Sequence, residues 1–273
     1  MPDAPAPSAQ GQLRLLACDL AVRAGHLISE GRLRGVGAVD TKSSATDMVT
    51  AFDRASEALI VEALRLHRPD DAIIGEEGTA DTGTSGVRWL IDPIDGTTNF
   101  LYGLPGYAVS IAAADNLGTL AGAVFVPATD ELFSAARGEG ATLNGAAIHC
   151  SSTSALPHAL LATGFSYDAD RRRQQMSRLQ HIIGDIRDIR RCGAAAVDLC
   201  NVASGRVDAY FEEHLGPWDL AAGELIATEA GCRSGDLSGG PVRPTQVLVT
   251  NAQLFEPMRS LLAHADTLCR TTD

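Results

Sequence analysis

A short, mostly apolar run, Val87 to Ile91, leads directly into Asp92-Pro93-Ile94-Asp95-Gly96-Thr97-Thr98-Asn99-Phe100. The run reads as a buried strand. It ends in two aspartates three residues apart, followed at once by a glycine and two hydroxyl residues. Carboxylates at a strand end, with backbone N–H groups close behind, can hold hard cations and a phosphate side by side.

Helical and strand periodicities mix around this segment. Leu13, Leu16, Leu20, Ala24, Leu27 and Ile28 recur at helical spacing and predict an amphipathic helix over 11–31. A polar, glycine-bearing stretch runs from Gly31 to Ser44. A second helix starts after Thr50, with Phe52, Ala55, Leu59, Ala63 and Leu66 on one face. A short strand over 72–74 leads into Gly75-Glu76-Glu77-Gly78, and 79–86 reads as a surface loop of small polar residues. Further strands are predicted at 108–113, 120–126, 131–136, 160–162, 207–212 and 247–250. Helices are predicted at 172–183, 194–204, 218–230 and 254–264, and Asn144-Gly145 offers a tight hairpin turn. This mixture points to layered α/β architecture.

The chain has 273 residues, enough to bury a sizeable core as one large domain or two small ones. No apolar run approaches the roughly 20 residues that span a bilayer, so a membrane partner is not expected. The Pro/Ala-rich start, Met1 to Gln10, has no basic region before an apolar one and does not read as a signal peptide, which leaves the cytoplasm as the expected location. Six cysteines lie far apart with no C-x-x-C pair. Cys18 and Cys200, among apolar neighbours, read as small core residues, and reduced thiols are the better reading than zinc or disulfides.

Five carboxylates fall at the ends of predicted elements: Asp53, Glu76, Asp92, Asp95 and Asp219. Each alone has a plainer explanation. Asp95-Gly96 suits a turn, Glu76-Glu77 a solvated loop, and Asp53 and Asp219 helix starts. Together they are oxygen donors of the kind that suit Mg²⁺, Mn²⁺ or Ca²⁺. Zinc would want His or Cys, and none of the seven histidines forms an H-x-x-x-H or H-E-x-x-H pair. With 34 acidic and 22 basic residues the net charge is −12. Such a surface repels nucleic acid, which is therefore not an expected partner. It also sits oddly with a phosphate substrate unless cations lie between the carboxylates and the anion, although charge of this size also serves solubility alone.

Trp89 to Phe100 resembles the signature of the inositol monophosphatase family, the Mg²⁺-dependent, lithium-sensitive phosphatases. The stretch Lys42-Ser43-Ser44-Ala45-Thr46-Asp47-Met48-Val49-Thr50-Ala51-Phe52-Asp53 is similar to the family's first segment, and Gly75-Glu76-Glu77 to its second. Ala209-Tyr210-Phe211-Glu212 and Trp218-Asp219-Leu220-Ala221-Ala222-Gly223 resemble the last, in matching order. The resemblance implies an αβαβα sandwich and a likeness to the bacterial inositol-1-monophosphatase branch. The expected organisation is a tail over 1–10 and one catalytic unit over 11–273, whose two halves meet near 145–155 with the active site between them.

Roles carry over residue by residue as implications of that resemblance. Glu76, Asp92 and the Ile94 carbonyl would hold one Mg²⁺. Asp92, Asp95 and Asp219 would hold a second, and a third, weaker site would lean on Glu76. Thr97 and Asp53 would take a proton from the attacking water, and Gly96 and Thr97 N–H groups would receive the phosphate. Asp95, Gly193, Ala195 and Glu212, with Asp219, would approach the alcohol part of the substrate; Glu213 leaves open which acid points inward. A homodimer is implied. The expected reaction is hydrolysis of myo-inositol monophosphates. Histidinol phosphate, fructose 1,6-bisphosphate and adenosine 3′,5′-bisphosphate are the alternatives on the same scaffold, and a non-catalytic regulatory or RNA-binding protein is the alternative of another class. Arg171-Arg172-Arg173 and Arg187, Arg190 and Arg191 are the basic patches, read as a solvated helix face and as a contact near the site or an interface.

Overall fold

The computed structural model describes residues 7–34, 39–41 and 48–271. In chain order these form α1 (Ala9–Leu33), β1 (Val39–Thr41), β2 (Met48–Thr50), α2 (Ala51–His67), β3 (Ala72–Gly75), β4 (Ala80–Asp81), β5 (Arg88–Asp95) and α3 (Thr97–Tyr102). Next come β6 (Ala108–Asp115), β7 (Gly118–Val126), β8 (Glu131–Ala136), β9 (Ala141–Leu143), β10 (Ala146–Ala147), a 3₁₀ turn (Leu156–His158) and β11 (Leu160–Thr163). The chain continues through α4 (Ala169–Ile182), β12 (Asp188–Arg190), α5 (Ala195–Ala203), β13 (Ala209–Glu212), α6 (Pro217–Glu229), β14 (Cys232–Gly235), β15 (Val247–Asn251) and α7 (Phe255–Thr271).

Two sheets carry the architecture. One has eight strands in the order β10-β9-β8-β7-β6-β5-β3-β4, antiparallel except for the β3–β5 pair. The other has five, in the order β12-β11-β13-β15-β14, with β12, β11 and β13 parallel. Helices α1 and α2 cover one face of the larger sheet, α5 and α6 lie between the sheets, and α4 and α7 cover the outer face of the smaller one. The five layers make an αβαβα sandwich. Among the described residues three apolar cores fill its interfaces: one under α1 and α2, one under α4 and α7, and one in which α5 and α6 meet the inner faces of both sheets.

Burial on both faces explains the unbroken apolar run at Trp89-Leu90-Ile91. Trp89 and Ile91 face α1 and α2, and Leu90 faces the middle layer. Helix α6 is apolar around much of its circumference because it is sandwiched. Its Ala222 backbone lies against β7 so closely that a Cβ on Gly122 would come within 2.9 Å of the Ala222 Cα.

Several expectations change. Of the stripe Phe52, Ala55, Leu59, Ala63 and Leu66, Ala63 is buried and Phe52 and Leu59 pack against the core, but Leu66 is 77% exposed and Ala55 is exposed as well. Asp53, Ser56 and Glu57 go inward with Ile60, Val61 and Leu64. The polar half of that face meets polar partners, so hydrophobic periodicity misreads it. Strand β5 does not stop before the aspartates; it runs on to Asp95, with its pairing to β6 shifted between Asp92 and Asp95 around Pro93. The loop over 79–86 contains β4, and α7 runs to Thr271, past the expected 264. Short strands β9, β12 and β14 carry too few residues to show a period. The Asn144-Gly145 turn joins β9 to β10, both residues having positive φ.

Helix α1 starts at Ala9, inside the stretch expected to be a tail, because the Ser8 hydroxyl accepts the Gly11 N–H at 2.9 Å. Residues 1–6 of that tail lie outside the described residues, as do 35–38 and 42–47 of the polar stretch and first family-like segment. All six cysteines are unpaired; Cys200 is buried and Cys18 half-buried. Among the described residues no helix is long and apolar enough to cross a membrane.

Candidate active site

Three element ends from the first half and three from the second meet in one cleft of about 360 Å³. Glu76 comes from the turn after β3. Asp92, Ile94 and Asp95 come from the end of β5, with Gly96 and Thr97 at the start of α3. Gly193 and Ala195 open α5, Glu212 ends β13, and Asp219 lies in the first turn of α6. The sheet topology makes this convergence, since β3 and β5 are parallel neighbours and deliver Glu76 and Asp92 at the same sheet end.

Asp53 does not line the cleft wall but lies directly behind it, 1% exposed. It holds the N3 position of α2, where its Oδ2 accepts the Thr50 N–H at 2.7 Å and the Thr50 hydroxyl at 2.6 Å. Its other oxygen, Oδ1, is 3.3 Å from the Thr97 hydroxyl, which also lies 3.0 Å from the Ile94 carbonyl. A hydroxyl has one proton, so Thr97 donates to one of these acceptors at a time and keeps its lone pairs for the cleft. Asp219 likewise caps its helix, accepting the Gly216 N–H at 2.7 Å, while it lines the site. Capping and a place at the cleft or directly behind it therefore coincide in both residues, because the cap fixes where the carboxylate points.

Asp95 ties the halves together. Its carboxylate accepts the Ala195 N–H at 3.1 Å and the Ala196 N–H at 2.6 Å, at the start of α5. Ala195 is thus turned toward Asp95 through its N–H, while Gly193, with φ +94°, lines the cleft beside it. Asn99 adds a second tie, its side-chain amide donating to the Cys192 carbonyl at 2.7 Å.

The electrostatics are those of carboxylates crowded out of water. Burial, first, and then the charges of Glu76, Asp95 and Asp219 push the Asp92 carboxyl well above the ordinary range. Burial and Asp219 do the same to Asp95, only partly offset by the Ala196 N–H. Glu212 is pushed up to about 7, mainly by burial, although the Tyr210 hydroxyl donates to it at 2.7 Å. A divalent cation would relieve this strain of like charges. The donor set fits a hard cation: carboxylate oxygens with a backbone carbonyl, and no sulfur or imidazole among them. Among the described residues no three such side chains form a ready-made metal cage. Mg²⁺ does not require one, since it usually keeps several waters and binds through a few carboxylates together with substrate phosphate.

Glu212 and Glu213 now separate. Both border the cleft, but Glu213 is held by Arg178 at 2.7 Å and by the Gln246 amide at 3.1 Å. The wall also includes residues that sequence reasoning missed: Phe165, Ser166, Tyr167, Asp168 and His214. They sit on loops without periodicity or motif, so no local signal marked them. Of the basic patches, Arg171 and Arg191 border the cleft, while Arg173 pairs with Asp170 and Arg190 with Asp188.

The family model described as the inositol monophosphatase family matches residues 10–268. Inositol-1-monophosphatase SuhB of Mycobacterium tuberculosis is 45% identical over 240 residues, covering 81% of this chain and 83% of that one. A protein of Pasteurella multocida named Nus factor SuhB is 44% identical over 227 residues, covering 82% and 85%. Among solved structures, the extragenic suppressor protein suhB of Bartonella henselae superposes with a TM-score of 0.86 at 34% identity, covering 92% of this chain and 98% of that one. An IMPase of Thermotoga maritima does so with a TM-score of 0.84 at 31% identity, covering 92% and 97%. With fold, site geometry and whole-length similarity in agreement, this chain belongs to the inositol monophosphatase family.

Proposed function

We propose that the protein is a Mg²⁺-dependent phosphomonoesterase acting on myo-inositol monophosphates. The observation that carries this reading is the meeting of Glu76, Asp92, Asp95 and Asp219 in one cleft with Thr97, and Asp53 directly behind it. Glu76, Asp92 and the Ile94 carbonyl would hold one ion, and Asp92, Asp95 and Asp219 a second; Glu76 would also serve a weaker third. When bound, the ions supply Lewis-acid polarisation of the phosphoryl group and make a water more acidic.

The chain's own residues do the rest. Thr97 accepts a proton from the attacking water at its hydroxyl oxygen as its own proton passes toward Asp53 Oδ1. Gly96 and Thr97 N–H groups hold phosphate oxygens. Glu212 accepts hydrogen bonds from vicinal hydroxyls when ionised and can donate one when protonated, which suits a neutral polyol. The cleft lies at the small end of ligand pockets, as a monophosphate of a single ring requires. We place this activity in a cytoplasmic homodimer and expect lithium to inhibit it, as the resemblance implies.

The test is phosphate release with Mg²⁺ from inositol 1-phosphate, histidinol phosphate, fructose 1,6-bisphosphate and adenosine 3′,5′-bisphosphate, beside an Asp95→Asn control. Preference for inositol 1-phosphate, lost in the control, supports the reading. Preference for another substrate moves the specificity and keeps the chemistry.

A second reading has one specific support: relatives as similar as the Pasteurella multocida protein are named Nus factors. That name sets a transcription-related or nucleic-acid partner against the expectation drawn from the acidic charge. On this reading the fold acts by binding. A salt-dependent mobility shift with RNA, together with no metal-dependent turnover by folded protein, would bring it forward.

A further inference from the structure

Glu57 lies on the inner face of α2, one turn beyond Asp53, and is only 5% exposed. A carboxylate buried there needs donors, and a single loop supplies three. The Glu77 N–H donates to its Oε2 at 2.8 Å. The Thr79 hydroxyl and N–H donate to its Oε1 at 2.6 and 3.2 Å. Hydrogen bonds to a charged acceptor are roughly twice as strong as neutral ones. This loop is the turn from β3 to β4, and Glu76 stands at its start, between the first strand and the clamped residues.

The turn's other backbone bonds run within it and to β5. Gly75 donates to the Thr79 carbonyl at 2.9 Å, Gly78 to the Gly75 carbonyl at 3.3 Å, and Glu76 to the Ile91 carbonyl at 3.1 Å. The glycine at 75 is fitted to the clamp, since a Cβ there would lie 2.3 Å from Oε2 of Glu57. The same face of α2 also places Asp53 against Thr97 and sends the Ser56 hydroxyl to the Pro93 carbonyl at 3.1 Å. One helix face thus touches the turn that carries Glu76, the end of β5 and the start of α3.

We propose that Glu57 is a positioning residue: it fixes the turn that carries Glu76 and so sets where the Glu76 carboxylate stands relative to Asp92 and a bound divalent cation. The inference rests on the metal reading of the site given above. Glutamine at 57 would keep one acceptor and present an NH₂ group to donors that now meet a second oxygen, so the turn would loosen without loss of side-chain volume.

The experiment compares Glu57→Gln, Thr79→Val and Ile60→Val with the parent protein. Mn²⁺ affinity is read by calorimetry without substrate, Mg²⁺ half-saturation and KM by phosphate release from inositol 1-phosphate, and Tm by thermal unfolding. Glu57→Gln is expected to weaken Mn²⁺ binding at least ~5-fold and raise the Mg²⁺ requirement in parallel, with KM moved less than ~2-fold. Thr79→Val, which removes one donor, should shift both in the same direction by less. Ile60→Val, a core change on the same helix, should lower Tm and leave Mn²⁺ affinity unchanged, which separates positioning from general destabilisation. Folded Glu57→Gln with parental Mn²⁺ affinity and Mg²⁺ requirement would overturn the proposal. If that variant does not fold, unchanged Mn²⁺ affinity in Thr79→Val would do so. A parent protein that neither binds Mn²⁺ nor turns over substrate would instead remove the metal reading itself, and this inference with it.

Discussion

Asp198 is a buried acid outside the acidic cleft, and its environment makes a clear statement about pH. It lies on α5, 1% exposed, and among the described residues its Oδ1 has no hydrogen-bond partner. Burial pushes its carboxyl from 3.8 up to about 7, against smaller pulls downward from the Cys192 thiol and the Arg191 charge. Between those values the folded protein holds a proton that the unfolded chain releases. Stability contributed by the neutral acid is therefore full below about pH 4, falls as pH rises, and is gone above about 7. Asp198→Asn should raise stability at pH 8 by on the order of 2 kcal/mol and change it little at pH 4. Urea unfolding at both values checks this, and an equal effect at both would mean that Asp198 does not titrate in that range. Glu212, also pushed up to about 7, should act on the substrate side: Glu212→Gln should raise KM for inositol 1-phosphate by roughly tenfold, the scale of one lost hydrogen bond to a charged group. Steady-state kinetics at pH 8 would show it, and an unchanged KM would remove Glu212 from the polyol contacts.

At the scale of elements, caps and close packing aim the chemistry. Asp53 both caps α2 and faces Thr97, and the two duties can be separated. Asp53→Asn keeps an acceptor for the Thr50 N–H but gives up the charge that draws the Thr97 proton. Turnover should fall by about 10²-fold or more, the contribution typical of general base catalysis, with Tm nearly unchanged. A collapse of Tm in step with activity would assign Asp53 to the cap alone. The α6–β7 contact is a second lever, because Gly122 leaves the space that Ala222 fills. Gly122→Val should cost about 1–3 kcal/mol by overpacking and push α6, with Asp219, away from the sheet. Denaturant midpoints and activity should fall together, and full activity would show that the site tolerates a displaced α6.

Across the whole molecule the acidic floor joins both halves of the sandwich, so whatever neutralises it should hold the halves together. A divalent cation that binds only the folded state at 100 times its Kd stabilises it by about 2.7 kcal/mol. Mg²⁺ should therefore raise Tm, EDTA should reverse the rise, and Asp95→Asn should blunt it. A Tm indifferent to Mg²⁺ over millimolar concentrations would speak against cation binding in this cleft. The arrangement also shows why the net charge of −12 was ambiguous. Its most consequential members are gathered in one cleft, buried or half-buried, not spread over the surface, and composition does not record that difference.

Local residue order determined the layered α/β class, most of the long helices and strands, and the five acids at element ends. Periodicity and turn chemistry are written over a few neighbouring residues, and the Asp92–Asp95 motif is a local pattern with a chemical meaning. Only the tertiary structure decided that Asp53 and Asp219 both cap helices while one stands behind the cleft and the other lines it, that Glu213 and not Glu212 is held in an ion pair by Arg178, and that α2 turns Ser56 and Glu57 inward. Hydrophobic period predicts an apolar inner face, and it fails where buried polar groups are answered by partners 20 or more residues away, as Glu57 is by Glu77 and Thr79. Such partners are brought together by sheet order and layer packing, which no short stretch of sequence contains.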